Sequence, residues 1–258
     1  MARAAKRRFD LKSRDEIARI GAACHVVGEV LAVLRDAVRP GVATAELDRL
    51  AEEATRARGA TPAFLGYRGY PASVCVSVND EIVHGIPSRA RVLKEGDLVG
   101  IDFGALLDGF YGDAAISLGV GTIEPKARRL LDVTRESLAR AIRAAQPGKR
   151  VGDIGAAVQD YVEAEGFSVV RDFVGHGIGR NLHEPPHVPN YGNPGTGDLL
   201  LPGMVLAIEP MVNAGTPETT LLGDGWTAVT ADGQLSAHFE HTVVITAEGP
   251  EILTGYGP

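Results

Sequence analysis

Apolar positions recur at helical spacing from Ile17 through Ile20, Cys24, Val27, Leu31 and Leu34 to Val38. Ser13, with Glu16 three residues on, has the form of a capping box, and Pro40-Gly41 supplies a stop, so a first helix is predicted between them. Leu47, Leu50, Ala51 and Ala54 predict a second, with Thr44 as its cap and its end near Gly59. A third starts at Pro125, passes through Leu131, Leu138 and Ile142, and stops before Pro147-Gly148. A fourth runs from about Val151 through Ile154, Val158 and Val162 to Gly166. Alternating, β-branched stretches predict strands at 73–78, 82–83, 98–103, 110–117, 167–174, 205–212 and 239–246, with an Asn79-Asp80 turn before the second. Positions 67–71 read as loop. The density of proline and glycine between Glu184 and Gly203 predicts an irregular connection.

The pattern repeats faintly. Val38-Arg39-Pro40-Gly41 resembles Ala145-Gln146-Pro147-Gly148, 107 positions later. Gly59 and Gly166 share that offset. So do Gly96 with Gly203 and Ile101-Asp102 with Ile208-Glu209. One constant offset over separated matches predicts two similar halves, each two helices followed by strands. Asp102 and Glu209 then occupy equivalent positions, and a pseudo-two-fold fold brings both to its centre.

Asp108-Gly109 is the strongest short hairpin signal, because a type I′ turn needs positive φ at both central residues. A two-residue turn pairs Leu107 with Phe110 and sets Asp113 opposite Gly104. Asp102, two residues along, faces the same side, so the two carboxylates are diagonal neighbours ~7–8 Å apart at the backbone. Taken alone, such a pair is more often two solvated aspartates beside a surface turn. The rest of the chain shifts that weighting: Glu209 and Glu240 also stand within apolar strands, where an acid is costly unless paired or bound to a metal. His176, in Gly175-His176-Gly177-Ile178-Gly179, completes the set. That segment lacks the spacing of a dinucleotide-binding loop.

Four carboxylates and one imidazole make a hard, oxygen-rich donor set, suited to Mn, Fe(II) or Co(II) better than to a thiolate-type zinc site. Four negative charges exceed what one divalent ion balances comfortably, so two ions ~3.5–4 Å apart are expected. A water between them would ionise near neutral pH, its pKa falling from ~15.7 toward ~7, and would attack a carbonyl. No serine or cysteine nucleophile with a matching base stands out.

Composition narrows the reading further. The chain has 258 residues, 45% of them hydrophobic, enough for one large domain or two small halves. A net charge of −7 argues against a general nucleic-acid binder. The basic tip (Arg3, Lys6, Arg7, Arg8) reads as a solvated terminus rather than an RNA or ribosome contact, and no apolar run follows it as in a signal peptide. No run long enough to span a membrane is expected. Cys24 and Cys75 read as reduced packing residues of a cytoplasmic protein.

The chain resembles the type I methionine aminopeptidases. The similarity runs from about Asp15 to Thr246. It rests on Gly66-Tyr67-Arg68-Gly69-Tyr70-Pro71, Ser77 through Pro87, Asp102 through Asp113, Gly175 through Gly179, His183-Glu184-Pro185-Pro186, Ile208-Glu209-Pro210 and Phe239-Glu240-His241-Thr242. The resemblance implies a pita-bread fold of the α+β class, with two pseudo-symmetric halves and a central antiparallel sheet covered by helices. It implies one catalytic domain over 1–258, with halves roughly 13–120 and 121–258 after a basic tail at 1–12. The implied activity removes the N-terminal methionine of nascent polypeptides when the second residue is small, using two divalent ions (Co, Mn or Fe(II), with Zn also accommodated).

The roles it implies are specific. Asp102 holds one metal, His176 and Glu209 the other, and Asp113 and Glu240 bridge both. Glu209 takes the proton of the attacking water. His183 polarises the scissile carbonyl and steadies its oxyanion. His84 contacts the nitrogen side of the peptide. Tyr67, Tyr70, Cys75 and Trp226 match the wall of the methionine pocket. Asn79 and Ser236 match a monovalent-cation site, a weaker correspondence. Three departures bear on the pocket: Phe64 stands at a rim position where a smaller residue is frequent, Leu182 where an aromatic is common, and His238 where a glutamine is frequent. His238 is expected to donate a hydrogen bond behind the metal rather than to ligate it. The implied partners are nascent chain ends; no membrane or specific nucleic acid is implied, any ribosome contact uses the domain surface, and a monomer is expected.

Two other readings compete. X-Pro aminopeptidases and prolidases share the fold but carry a large preceding domain, for which a first ligand at position 102 leaves no room. The 33 residues from His176 to Glu209 leave no space for the helical insertion of the type II enzymes. A non-catalytic binding protein of this fold would have lost metal ligands, and all five are present here.

Overall fold

Helix α1 (Arg14–Ala37) opens with the capping box: the Ser13 hydroxyl accepts from the Glu16 amide, and the Glu16 carboxylate accepts from the Ser13 amide. The chain is a computed structural model that describes residues 9–255, so the basic tip at Arg3, Lys6, Arg7 and Arg8 lies outside the described residues. Helix α2 spans Thr44–Ala57, α3 Pro125–Ala144 and α4 Val151–Ala164. Thr44 is not the cap of α2. It is the first helical residue, after Ala43, and its hydroxyl exchanges hydrogen bonds with the Ser88 backbone instead.

The strands are β1 (Thr61–Pro62), β2 (Cys75–Val78), β3 (Glu81–Val83), β4 (Leu98–Leu107), β5 (Phe110–Gly119), β6 (Ser168–Val169), β7 (Gly175–Gly177), β8 (Glu184–Val188), β9 (Val205–Ile208), β10 (Met211–Asn213), β11 (Thr219–Leu221), β12 (Ala228–Thr230), β13 (Ser236–His238), β14 (Glu240–Ile245) and β15 (Pro250–Ile252). The main sheet runs β1-β4-β5-β14-β9-β7-β8, with β2 also on β4 and β15 also on β14, and every pairing is antiparallel. Two three-stranded sheets, β13-β10-β6 and β11-β12-β3, flank it. The hairpin register is the expected one: Leu107 faces Phe110, Gly104 faces Asp113, and Asp108 and Gly109 have φ of 49° and 81°.

Three expected strands are broken. Positions 167–174 hold only β6. The stretch 205–212 divides at Glu209-Pro210, because proline has no amide to continue a ladder. The stretch 239–246 begins with Glu240, Phe239 separating β13 from β14. Conversely, the proline-rich connection after Glu184 contains β8, an edge strand of the main sheet, where proline's missing amide is tolerated.

The halves correspond in detail. Gly41 N–H donates to Leu93 O at 2.8 Å, and Gly148 N–H to Leu200 O at 2.9 Å. Isolated bridges join Ala43 to Val92 and Arg150 to Leu199. All four positions of the first half recur 107 residues on. The helices lie over the sheet: α1 packs on β4 and β5, and α3 pairs with α4.

Contrary to expectation, α1 is long and apolar enough to cross a membrane by length and composition, with a mean hydropathy of 1.7 over an 18-residue window. Its apolar face is spent on the sheet instead: Ile20, Cys24, Val27, Val30, Leu31 and Leu34 are fully buried. The approach is close at Gly112 of β5. A Cβ there would lie 2.7 Å from the Cys24 amide nitrogen and 2.9 Å from the Ala23 carbonyl carbon. Gly112→Ala is therefore expected to destabilise the fold by about 1–3 kcal/mol, read as a lower urea midpoint; an unchanged midpoint would show that the helix can lift away freely.

Candidate metal centre

Strand register alone puts the five candidate ligands on one face. Asp102 and Glu240 both sit directly opposite Ala115, so the three side chains form one row across β4, β5 and β14. Asp113 lies two residues from Ala115 and shares its face. Thr242 and His176 both face Ala207, and Thr242 is two residues from Glu240, so His176 joins the same face. Glu209, two residues past Ala207 at the end of β9, completes it.

The distances agree with that row. His176 Nε2 lies 3.5 Å from Glu209 Oε1 and 3.9 Å from Asp113 Oδ2. Donor atoms of Asp113, His176 and Glu240 lie within 4.8 Å of one another. All five residues line one cavity of about 180 Å³. Gly104 keeps room at its edge: a Cβ there would meet Asp113 Oδ1 at 3.2 Å and the Phe64 ring at 2.9 Å. The Thr242 hydroxyl accepts from the Asp113 amide (3.2 Å) and donates to the Asp113 carbonyl (2.7 Å), tying β5 to β14 beside the cluster.

Burial decides the electrostatics. It raises the Asp102 pKa to about 7. It pushes Asp113, Glu209 and Glu240 well above the usual carboxylate range, with the other acids' charges adding to the effect. Burial also lowers His176 to about 3, so the imidazole is neutral and its nitrogen free to ligate. Asp102 Oδ1 and Asp113 Oδ1 are buried with no hydrogen-bond partner. Clustered buried acids with orphaned oxygens, beside a neutral imidazole, fit hard divalent cations.

The remaining expected residues divide into two groups. Phe64, Tyr67, Tyr70, Cys75, His84, Leu182, His183 and Trp226 all line the same cavity. Tyr67 stacks on His183, ring centroids 5.4 Å apart, and its hydroxyl shares a 2.9 Å hydrogen bond with His183 Nδ1. Burial, then the nearby Arg68 charge, lowers His183 to about 4. Trp226 meets Tyr70 edge-on at 5.1 Å and His84 at 6.2 Å. His84 holds a φ of 60°, and burial lowers its pKa. Asn79 and Ser236 lie elsewhere. The Ser236 amide donates to the Asn79 carbonyl at 2.8 Å, while the Asn79 side chain bonds Asp97 and the Leu98 amide. His238 sits behind the cluster, Nε2 3.8 Å from Glu209 Oε2.

Sequence reasoning did not single out Arg68, Val83, Phe173, Val174 or Met211, which also line the cavity. Phe173 meets His84 edge-on at 5.5 Å. It lies three residues before His176 in a stretch that looked like ordinary strand, and only long-range packing distinguishes it.

Known proteins give this geometry a context. The model of metallopeptidase family M24 matches residues 18–247. A methionine aminopeptidase of Clostridium perfringens is 54% identical over 244 residues, covering 95% of this chain and 98% of its own. The crystal structure of a methionine aminopeptidase from Thermotoga maritima superposes with a TM-score of 0.94 at 48% identity, covering 95% of this chain and 99% of that one. A prolidase from Pyrococcus furiosus superposes with a TM-score of 0.79 at 25% identity, and this chain covers 66% of it. The fold is the pita-bread fold that these enzymes share. With its buried acids and neutral imidazole on one sheet face, this chain is an enzyme of metallopeptidase family M24.

Proposed function

We propose that the enzyme removes N-terminal methionine from nascent polypeptides whose second residue is small, in the cytoplasm, as a monomer. The observation that carries this reading is the single cavity that joins the acid cluster to an apolar wall of Phe64, Tyr70, Cys75, Leu182 and Trp226. A thioether side chain suits such a wall, and a peptide amino end suits the acids beside it. The match to methionine aminopeptidases over nearly the whole chain supports the same substrate. The prolidase is a longer chain, of which this one spans about two thirds.

Asp102 would hold one divalent ion, His176 and Glu209 a second, and Asp113 and Glu240 would contribute to both. When bound, the ions supply Lewis-acid polarisation and bring water's ionisation toward neutral pH. The donor set favours Co, Mn or Fe(II), with Zn also able to bind. Glu209 accepts the proton of the attacking water. With the Tyr67 hydroxyl donating to Nδ1, neutral His183 keeps a proton on Nε2 to donate to the scissile carbonyl oxygen. His84, packed edge-on between Phe173 and Trp226, contacts the peptide nitrogen. The hydrogen bond expected of His238 is not made, since its Nε2 stands 3.8 Å from the far oxygen of Glu209 and has no hydrogen-bond partner, so the ring only faces that carboxylate. Asn79 with Ser236 is assigned to a monovalent-cation site.

Two experiments test the reading. Asp113→Asn is expected to stay folded by circular dichroism and to lose turnover of a Met-Ala-Ser peptide by more than the roughly 10–100-fold cost of removing a residue behind a metal ligand. Full activity would refute its bridging role. Chelation should abolish cleavage of Met-Ala-Ser, and single readdition of Mn, Co or Fe(II) should restore it, while an Ala-Pro peptide stays uncut. The ion should also stabilise the fold by about 2.7 kcal/mol at a hundredfold excess over its dissociation constant. Cleavage of Ala-Pro in preference to Met-Ala would favour the X-Pro reading instead.

A further inference from the structure

Lys12 lies just ahead of α1 with a side chain only 1% exposed, a setting an ammonium takes up only beside close counter-charge. Its Nζ donates to Glu184 Oε2 at 2.7 Å and to Asp10 Oδ2 at 2.8 Å. The Asp10 side chain is 66% exposed and shared with solvent; that of Glu184 is 11% exposed, so Glu184 is the partner that depends on the lysine. Burial alone would lower the Lys12 pKa, but the bonds to Asp10 and Glu184 hold it above the ordinary lysine value.

Glu184 passes the constraint on. Its other oxygen, Oε1, accepts from the Asn181 amide at 2.9 Å, closing the short loop that contains His183. The backbone leading into the loop rests on the lysine: a Cβ on Gly179, whose amide donates to the Asn181 carbonyl, would lie 2.4 Å from Lys12 Cε and 2.6 Å from Nζ. Lys12 is itself fixed, its amide donating to Gly203 O at 2.8 Å beside β9. Tyr67 thus holds the His183 ring, while the Lys12–Glu184 pair holds the backbone beneath it.

We propose that Lys12 is a positioning residue for His183: its buried ammonium locks Glu184, and Glu184 shapes the 181–184 loop that aims the imidazole into the cavity. This rests on reading His183 as the group that polarises the carbonyl. Loosening the loop should harm the chemical step more than peptide capture or metal affinity, because small misplacements of a catalytic group are felt mainly in the transition state.

The test uses the manganese-loaded full chain and the Met-Ala-Ser peptide. Lys12→Met is expected to lower kcat by about 10-fold or more while KM and the calorimetric Mn(II) affinity stay within about twofold. In a His183→Ala background the same change should lower kcat no further, since the lysine acts through the histidine. A purely structural role would not follow His183 in this way. If Lys12→Met does not fold, Glu184→Gln, which keeps an acceptor for Asn181 and drops the charge, is judged by the same criteria. The proposal is overturned by a folded variant with wild-type kcat, by a loss of kcat that persists without His183, or by metal affinity falling in step with kcat. An inactive wild type would instead overturn the functional reading, and a fully active His183→Ala would overturn the role of His183 and this proposal with it.

Discussion

Four carboxylates buried in one cavity are the constraint on which the structure depends. Two unit charges 4 Å apart repel by about 4 kcal/mol at the effective dielectric constant of a protein site, and each buried ion adds a desolvation cost of several kcal/mol. The chain answers partly by holding protons, as the raised pKa values of Asp102, Asp113, Glu209 and Glu240 show. Divalent cations would answer more fully, since they would supply the missing charge, and the orphaned oxygens of Asp102 and Asp113 are free to receive them. What the fold must provide is a backing that does not yield to the repulsion. Three of the acids therefore stand on or beside β4, β5 and β14, at the middle of the main sheet, and the Thr242 hydroxyl laces the Asp113 backbone to β14 from both its donor and its acceptor.

Much of this was legible in the sequence because it follows from short-range rules. Asp108-Gly109 dictated the turn, and the turn dictated that Asp102 and Asp113 share a face. The constant offset of 107 announced the second half and singled out Glu209 as the counterpart of Asp102. Acids within apolar strands marked Glu209 and Glu240. The tertiary placements were not legible in the residues alone. Nothing local says that the Tyr67 hydroxyl reaches His183, 116 positions away, or that Glu184 reaches Lys12, 172 positions away. The β8 strand was hidden because Pro185 and Pro186 read as loop, a penalty that applies to central strands and is relaxed at an edge. The Thr44 assignment failed because a distant partner, Ser88, competes for the hydroxyl that capping would use.

A symmetric scaffold must still produce an asymmetric site, because a peptide has one amino end and one carbonyl to be cut. The register shows where the symmetry is broken. Ile101 faces Ile116 and Gly104 faces Asp113 in the first half; Ile208 faces His241 and Met211 faces His238 in the second. The counterpart of Asp113 is thus His238, and the counterpart of Glu240 is Ala115. Asp102 and Glu209 are true equivalents, but the second acid of each half is displaced by two residues relative to the other. A carboxylate at the His238 position would place a fifth like charge beside Glu209. The imidazole there, lowered by burial to about 3 and so neutral, faces Glu209 Oε2 without adding to the repulsion. The connections break the symmetry a second time. The first half joins β4 to β5 by two residues, whereas the second inserts the β11–β12 hairpin between β9 and β14, which brings Trp226 to the cavity rim. The imidazoles of His176 and His183 come from the second half alone, and the first half offers Tyr67 and Tyr70 in return. His84 adds an imidazole from the first half, and Leu182 and Trp226 add apolar surface from the second. Each half therefore supplies both protic rings and apolar wall, but with different residues, and a scaffold whose halves are otherwise alike encloses an asymmetric cavity.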